Sequence, residues 1–220
     1  MNRFRPWFRE LSTYHRHLTW REYWIRYAVA RMRSKETEPG PDATEAATRA
    51  WYATNEYLLL RQAYYHRNSR WPEIRRALPP RGTLLEYGCG IAPVSAWLRA
   101  DRCTLVDLPS PTLAYAAWRL PHARILSPGL GDDLPDCGTH DVIVCLEVLE
   151  HVPNPAAVLR HLAHRLRGTL FVNFVGGIAS GMNLRAAQDQ RAEAIDVLRS
   201  LRCEQAATPD GQTGVYHARP

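Results

Sequence analysis

From Thr83 onward, apolar runs of strand length alternate with helical stretches, and this alternation constrains the fold more than any other feature of the chain. The strand candidates are Thr83–Tyr87, Cys103–Asp107, Ala123–Leu126, Asp141–Glu147 and Gly168–Phe174, with helical segments from Ala92, Ser110 and Asn154 between them. Strands joined through helices run parallel, because a parallel pair needs a crossover that a tight turn cannot supply. The expected architecture is α/β, a doubly wound and mostly parallel sheet with helices on both faces. After Phe174 a loop carrying Gly176, Gly177 and Gly181 leads to a helix near Asn183–Leu201, then to short strand candidates at Cys203–Ala206 and Gly214–Ala218.

The first eighty residues read as helices. Trp7, Leu11, Tyr14 and Leu18, then Trp24, Tyr27 and Ala28, recur at helical spacing. Thr19 with Glu22, and Asp42 with Glu45, have the spacing of a capping box, in which a side-chain oxygen accepts an orphan N–H and the Glu reaches back. Glu38-Pro39-Gly40-Pro41 separates the second helix from a third running from about Ala43 to His66, and a shorter one follows Trp71-Pro72 before Pro79-Pro80. Four helices are thus expected before any strand. The division that follows is a helical cap over residues 1–80 and a ligand-binding domain over residues 81–220.

Charge and cysteine usage narrow the function classes. The net charge of +6 is concentrated in residues 1–35, where nine basic side chains face Glu10 and Glu22, so the remaining 185 residues sum to −1. The body of the protein therefore has no general polyanion-binding field. The same basic segment holds Trp7, Phe8, Tyr14, Trp20, Tyr23, Trp24 and Tyr27, too many aromatics for one narrow stripe. They are expected to dock on the domain with the arginines facing water. The five cysteines never form a CxxC pair, which argues against a zinc knuckle and a disulfide framework and points to a cytoplasmic protein. No apolar run approaches eighteen residues and the Arg-studded start lacks a secretory core, so no transmembrane segment or export signal is expected.

The chemistry is concentrated in Leu84-Leu85-Glu86-Tyr87-Gly88-Cys89-Gly90, a buried strand that ends in an acid and two glycines. Glycine lets the chain turn sharply and lets a ligand approach the backbone. Pro93 stands where a dinucleotide fingerprint has a third small residue, and Glu86 would put negative charge beside a pyrophosphate. A ligand with an ammonium and a positive sulfur suits that acid better. The next strand ends at Asp107, twenty-one residues beyond Glu86, where a doubly wound unit places an acid on ribose hydroxyls.

With these residues in order, the sequence resembles the class I S-adenosylmethionine-dependent methyltransferases, in the branch that contains the ubiquinone-biosynthesis enzymes. Leu84–Gly90 looks like their first motif and Val106-Asp107-Leu108 their second. Asp132-Asp133-Leu134-Pro135 and the stretch Asp141 to Val152 are similar to those that follow. The resemblance covers roughly Trp71–Phe174. It implies a Rossmann-like fold and S-adenosyl-L-methionine as cofactor. Glu86 would orient the methionine amino group through the glycine loop, with Gly88 and Gly90 admitting the methionine portion. Asp107, beside Leu108, would take the ribose, Asp132 or Asp133 the adenine amino group, and Leu146 with Glu147 would floor the sulfonium. It also implies that the helices before the first strand cover the cleft and form part of the acceptor pocket.

Glu147-Val148-Leu149-Glu150-His151 has a spacing that could gather three ligands on a divalent ion. Similar clusters occur in metal-dependent small-RNA methyltransferases, but those supply another histidine after the fifth strand, and Phe171–Asn183 has none, so no metal is expected. His151 is either a general base for a hydroxyl or amine acceptor or a helix-start histidine bonded to backbone. The expected activity is methyl transfer to an oxygen or nitrogen of a small-molecule acceptor in a biosynthetic setting. RNA or tRNA methylation is the alternative raised by the basic arm, and a partner subunit lacking its own acceptor site is the non-enzymatic one. Oligomeric state is not readable.

Overall fold

The computed structural model describes residues 6–65, 71–129, 133–175, 183–200, 205–206 and 213–217. The sheet is built from β1 (Leu84–Tyr87), β2 (Cys103–Val106), β3 (Arg124–Leu126), β4 (His140–Cys145), β5 (Leu166–Asn173), β6 (Gln205–Ala206) and β7 (Thr213–His217). Their order is β3-β2-β1-β4-β5-β7-β6. The first five are parallel, and β7 runs antiparallel to both β5 and β6. The chain winds outward from β1 through β2 to β3, then returns to the far side of β1 for β4. A crevice opens at such a switch point, beyond the carboxyl ends of β1 and β4. The register levels those ends, with Tyr87 opposite Val106 and Glu86 opposite Val144.

Both faces of the central strands β1, β2, β4 and β5 are largely buried, which explains the continuous apolar runs that mark them. Leu85, Ile143 and Leu170 face one way, against Leu159 and Leu162 of α8 (Pro155–Ala163) and Leu198 of α10 (Arg191–Ser200). Their neighbours Leu84, Val142 and Phe171 face the other way, against Ile74 of α5 (Trp71–Ala77) and Val94 of α6 (Pro93–Leu98). Ser110 and Asn154 cap the crossover helices α7 (Pro111–Arg119) and α8, accepting from Leu113 N at 3.2 Å and Ala157 N at 3.0 Å.

The N-terminal region differs from expectation in two places. Among the described residues five helices precede β1, because the helix expected over Ala43–His66 is two, α3 (Glu45–Thr54) and α4 (Glu56–Tyr65), with His66 outside the described residues. The break falls at Asn55, whose side-chain amide donates to Ser34 Oγ at 3.1 Å, both residues being buried. A tertiary bond to α2 (Trp20–Thr37) thus overrides local helix continuity. Thr19 and Glu22 form the capping box of α2, but the expected box at Asp42 does not form. Thr44 caps α3, accepting from Ala47 N at 3.2 Å, and Asp42 instead pairs with Arg185 at 2.6 Å. The helix expected over Asn183–Leu201 is also divided, into α9 (Arg185–Asp189) and α10, where the Gln190 amide donates to Pro153 O at 3.0 Å.

Phe8 and Leu11 of α1 (Pro6–Tyr14), Leu18, Tyr23 of α2, and Leu59 and Leu60 of α4 pack with Ile91 and Tyr115 of the sheet domain. Tyr23 is fully buried and its hydroxyl donates to Leu60 O at 3.0 Å. The other aromatics of this segment divide: Trp7, Tyr14 and Tyr27 are half-buried, while Trp20 and Trp24 lie at the surface. Ile25, Val29 and Met32 of α2 are more exposed still, at 54%, 43% and 64%.

Tyr23 is the pin of this cluster. Tyr23→Ala should lower unfolding stability by about 3–5 kcal/mol, and Tyr23→Phe, which loses only the hydrogen bond, by about 1 kcal/mol. Urea unfolding of the three proteins checks both values.

Candidate active site

β1 ends at Tyr87, and the chain then turns through Gly88 at φ 68° and Gly90 at φ 52°, backbone that L side chains rarely adopt. The space is as restrictive as the dihedrals. A Cβ on Gly88 would stand 2.1 Å from Val148 Cγ2, and one on Gly90 would stand 2.3 Å from Gln62 Oε1. Gln62, from α4, also accepts from Ile91 N at 3.1 Å, so the cap rests directly on the glycine turn.

Two acids fix this turn from opposite sides. Glu86 accepts from Ser95 N at 2.9 Å, Ser95 Oγ at 2.7 Å and Val94 N at 3.3 Å, so its carboxylate ties β1 to the first turn of α6. Burial pushes its carboxyl up to about 7 against the pull of those donors. Asp107, at the end of β2, accepts from Gly90 N at 2.5 Å through Oδ2 and from Leu108 N at 2.7 Å through Oδ1. Burial raises it to about 6, opposed by the same two N–H groups. Each oxygen of Asp107 keeps lone-pair capacity for a further donor such as a ribose hydroxyl.

The third wall is the end of β4. Glu147 has φ 58°, a strained conformation for a residue with a Cβ, and Asn173 at the end of β5 holds it there. Glu147 N donates to Asn173 Oδ1 at 2.6 Å, and Asn173 Nδ2 donates back to Glu147 Oε1. The 3₁₀ turn Leu149–His151 follows. Glu150 is 1% exposed, and its Oε2 has no hydrogen-bond partner among the described residues. Burial, with Glu147 nearby, pushes its carboxyl up to about 7. His151 Nε2 lies 3.9 Å from Glu150 Oε1. Among the described residues no three His, Cys, Asp or Glu side chains are grouped to hold a metal ion.

These walls enclose one cavity of about 640 Å³, roofed from the cap by Tyr52, Leu58 and Gln62. Of the residues expected from sequence, Glu86, Gly88, Gly90, Asp107, Leu108, Leu146, Glu147 and His151 all line it. Asp133 does not. It is exposed and stands against Gly129, whose N–H donates to Asp133 O at 2.7 Å. Asp132 lies outside the described residues. Among the lining residues not named as site candidates are Arg49, Tyr52 and Gln62, and Glu150 joins them from the spacing Glu147, Glu150, His151. Arg49 pairs with Glu45 and donates to the Pro128 and Gly129 carbonyls, fastening α3 to the loop after β3. Tyr52 lies where burial and the charges of Asp107 and Glu150 raise its phenol. Arg49 and Gln62 act across helices that no local pattern orients.

Comparison with known proteins decides what such a cavity belongs to. Residues 59–175, more than half of the chain, match the family described as a methyltransferase domain. The chain belongs to this family. The match starts in α4, so it includes part of the cap as well as the sheet. The ubiquinone biosynthesis O-methyltransferases of Pseudomonas paraeruginosa and Marinobacter nauticus are 33% and 32% identical over 105 and 102 residues. Those matches span 44% and 41% of this chain and 44% and 43% of the relatives, under half of either length. Among solved structures, a TehB-like S-adenosylmethionine-dependent methyltransferase of Corynebacterium glutamicum superposes with a TM-score of 0.56 at 16% identity, covering 80% of this chain and all of that one. CalS10, an amino pentose methyltransferase of Micromonospora echinaspora, gives 0.52 at 16% identity, covering 73% of this chain and 97% of that one. These likenesses establish the shared fold.

This methyltransferase is therefore S-adenosylmethionine-dependent, and its cavity fits that cofactor. Gly88 and Gly90 line it with backbone that carries no side chain, Asp107 keeps acceptor capacity, and the acidic lining suits a sulfonium and an ammonium. Asp107→Ala should weaken S-adenosylmethionine binding about ten- to hundredfold, the worth of roughly 1.5–3 kcal/mol of charge-assisted bonding. Calorimetry on the folded variant checks it. Glu150 gives a second test. A carboxyl raised from 4.5 to about 7 favours the protonated fold, so the stability it supports below pH 4.5 is lost as pH rises through 7. Glu150→Gln should gain stability relative to wild type across that window, seen as a rising difference in Tm.

Proposed function

We propose that this methyltransferase acts on an oxygen or nitrogen of a small-molecule acceptor, with His151 as the base that receives the acceptor's proton. The observation that carries this reading is that the glycine turn and His151 line one cavity of about 640 Å³, together with Tyr52 and Leu58 of the cap. An acceptor that shares a space of that volume with the donor is small or enters only in part. The near-neutral charge of residues 36–220 agrees, since the basic excess lies on residues 1–35. The relatives' name as O-methyltransferases and the neighbour's as an amino pentose methyltransferase point to the same class of acceptor.

S-adenosylmethionine supplies a methyl group on a sulfonium, already activated for displacement. The chain's own task is alignment and exclusion of water. Gly88, Gly90 and Asp107 hold the donor end, and Leu146 with Glu147 form the floor under the transferred group. Residues 1–80 serve as the cap and residues 81–220 as the donor-binding domain, with Gln62 and Tyr52 reaching down from the cap. His151, half-buried beside Glu150 and lining the same cavity, takes a proton from a hydroxyl or ammonium.

Transfer of labelled methyl from S-adenosylmethionine to a panel of phenols, amines and amino sugars, run beside bulk tRNA, tests the reading. Transfer to a panel member supports it, and transfer to tRNA alone overturns it. On the accepted compound, His151→Ala should lower kcat about hundredfold or more while donor affinity stays within about twofold. A wild-type rate in that variant removes His151 from the mechanism.

A further inference from the structure

Five carboxylates line the cavity among the described residues, and four of them have side-chain or backbone donors already described. Glu45 has Arg49, Glu86 has Ser95 and Val94, Asp107 has Gly90 and Leu108, and Glu147 has Asn173. Glu150 is only half satisfied. Its own N–H and that of Val175 reach the carboxyl, and His151 Nε2 stands 3.9 Å from Oε1. Its Oε2 has no hydrogen-bond partner among the described residues, in a side chain that is 1% exposed as a residue. An acceptor atom buried without a donor costs stability, and a ligand that brings a donor returns it. The lining arginines do not supply one: Arg49 is engaged by Glu45 and by the Pro128 and Gly129 carbonyls, and Arg61 is exposed.

We infer that Glu150 recognises the methyl acceptor and that this acceptor is an amine, bound as its ammonium with one N–H donated to Glu150 Oε2. The inference rests on the reading that a small acceptor shares this cavity with the donor. Proton count selects an amine over a hydroxyl. A primary ammonium has three N–H groups, so it can donate to Glu150 and still give a proton to His151, whereas a hydroxyl has one hydrogen for both tasks. Charge selects the same way. Deprotonating a hydroxyl creates an oxyanion beside Glu147 and Glu150, whereas the nitrogen of an amine gains positive charge as its bond to the methyl carbon forms.

The step balances. The ammonium gives a proton to His151 Nε2, the freed nitrogen lone pair forms the bond to the methyl carbon, and the carbon–sulfur pair leaves with sulfur. The products are a methylammonium, a neutral thioether and an imidazolium. Because His151 Nε2 lies 3.9 Å from Glu150 Oε1, the same carboxylate that binds the ammonium also faces the imidazolium that forms. The charges of Glu150 and Asp107 both act on the Tyr52 phenol of α3, so one side chain of the cap lies within range of Glu150 and of the donor end. A divalent ion is the other cation a buried carboxylate accepts, but it needs several ligands, and no three His, Cys, Asp or Glu side chains among the described residues are grouped to hold one.

Matched pairs test the inference on the full chain: benzylamine with benzyl alcohol, tyramine with tyrosol, and glucosamine with glucose, each with labelled S-adenosylmethionine and mass spectrometry to locate the methyl group. At least one amine should be methylated on nitrogen, with its hydroxyl counterpart about hundredfold slower or inert. Glu150→Gln keeps the shape and removes the charge. It should lower kcat/KM for the accepted amine about tenfold to hundredfold, chiefly through KM, while S-adenosylmethionine affinity stays within about twofold and the fold is retained. Wild-type kcat/KM in that variant overturns the inference, as does methylation on oxygen alone, which leaves the small-molecule reading standing. Transfer to tRNA with no small molecule accepted overturns both. Amine methylation that chelation with EDTA abolishes and magnesium restores assigns the carboxylate to a metal ion and overturns its role in binding the amine.

Discussion

The carboxylate of Asp107 accepts from Gly90 N on one oxygen and from Leu108 N on the other, and the position of the site depends on this pair of bonds. It adds to the bonds that Gly88 N and Cys89 N donate to Val106 O, at 2.7 and 3.1 Å, in joining the glycine turn after β1 to the end of β2. Glu86 performs the complementary task, binding the same turn to the first residues of α6. The turn is therefore held on both sides by carboxylates that belong to adjacent strands, with Glu86 and Asp107 set by the register of β1 and β2. The glycines themselves are required by geometry: at both positions a Cβ would enter the space of a neighbouring side chain.

The cap is part of the site. Gln62 receives the Ile91 N–H just beyond the glycine turn, and Arg49 holds the carbonyls of Pro128 and Gly129 beyond β3. Two cap helices thus grip two different loops of the sheet domain. The family match begins at residue 59, inside α4. The hydrophobic cluster of Phe8, Leu11, Tyr23 and Leu60 supports α4 from behind, so packing far from the cavity sets where its roof stands.

The central strands were legible in the sequence because they are largely buried on both faces and separated by crossover helices. Ser110 and Asn154 announce α7 and α8 by their chemistry, and both serve as caps. Glu86 and Asp107 were legible because strand ends in a doubly wound sheet are fixed by topology, twenty-one residues apart. The misses have a common cause. Asp42 has capping-box spacing but is drawn to Arg185, 143 residues away, and Asn55 breaks a helix to reach Ser34. Gln62 and Arg49 reach the cavity from helices whose docking angle depends on such tertiary bonds. Local spacing carries no information about them. Asn173 is a similar case: nothing in the end of β5 tells that its amide will hold Glu147 in a left-handed conformation.

That conformation bears on the electrostatics of the whole cavity. Glu147 is turned by its positive φ so that Asn173 engages both its backbone and its carboxylate, and on the next turn Glu150 is buried, with His151 Nε2 3.9 Å from its Oε1 and no hydrogen bond to its Oε2 among the described residues. Glu86, Asp107 and Glu150 are all held above the usual carboxylate range by burial. An opposite charge brought within a few ångströms of such a group favours its ionised form, so a cationic ligand in this cavity would act on all three against the effect of burial.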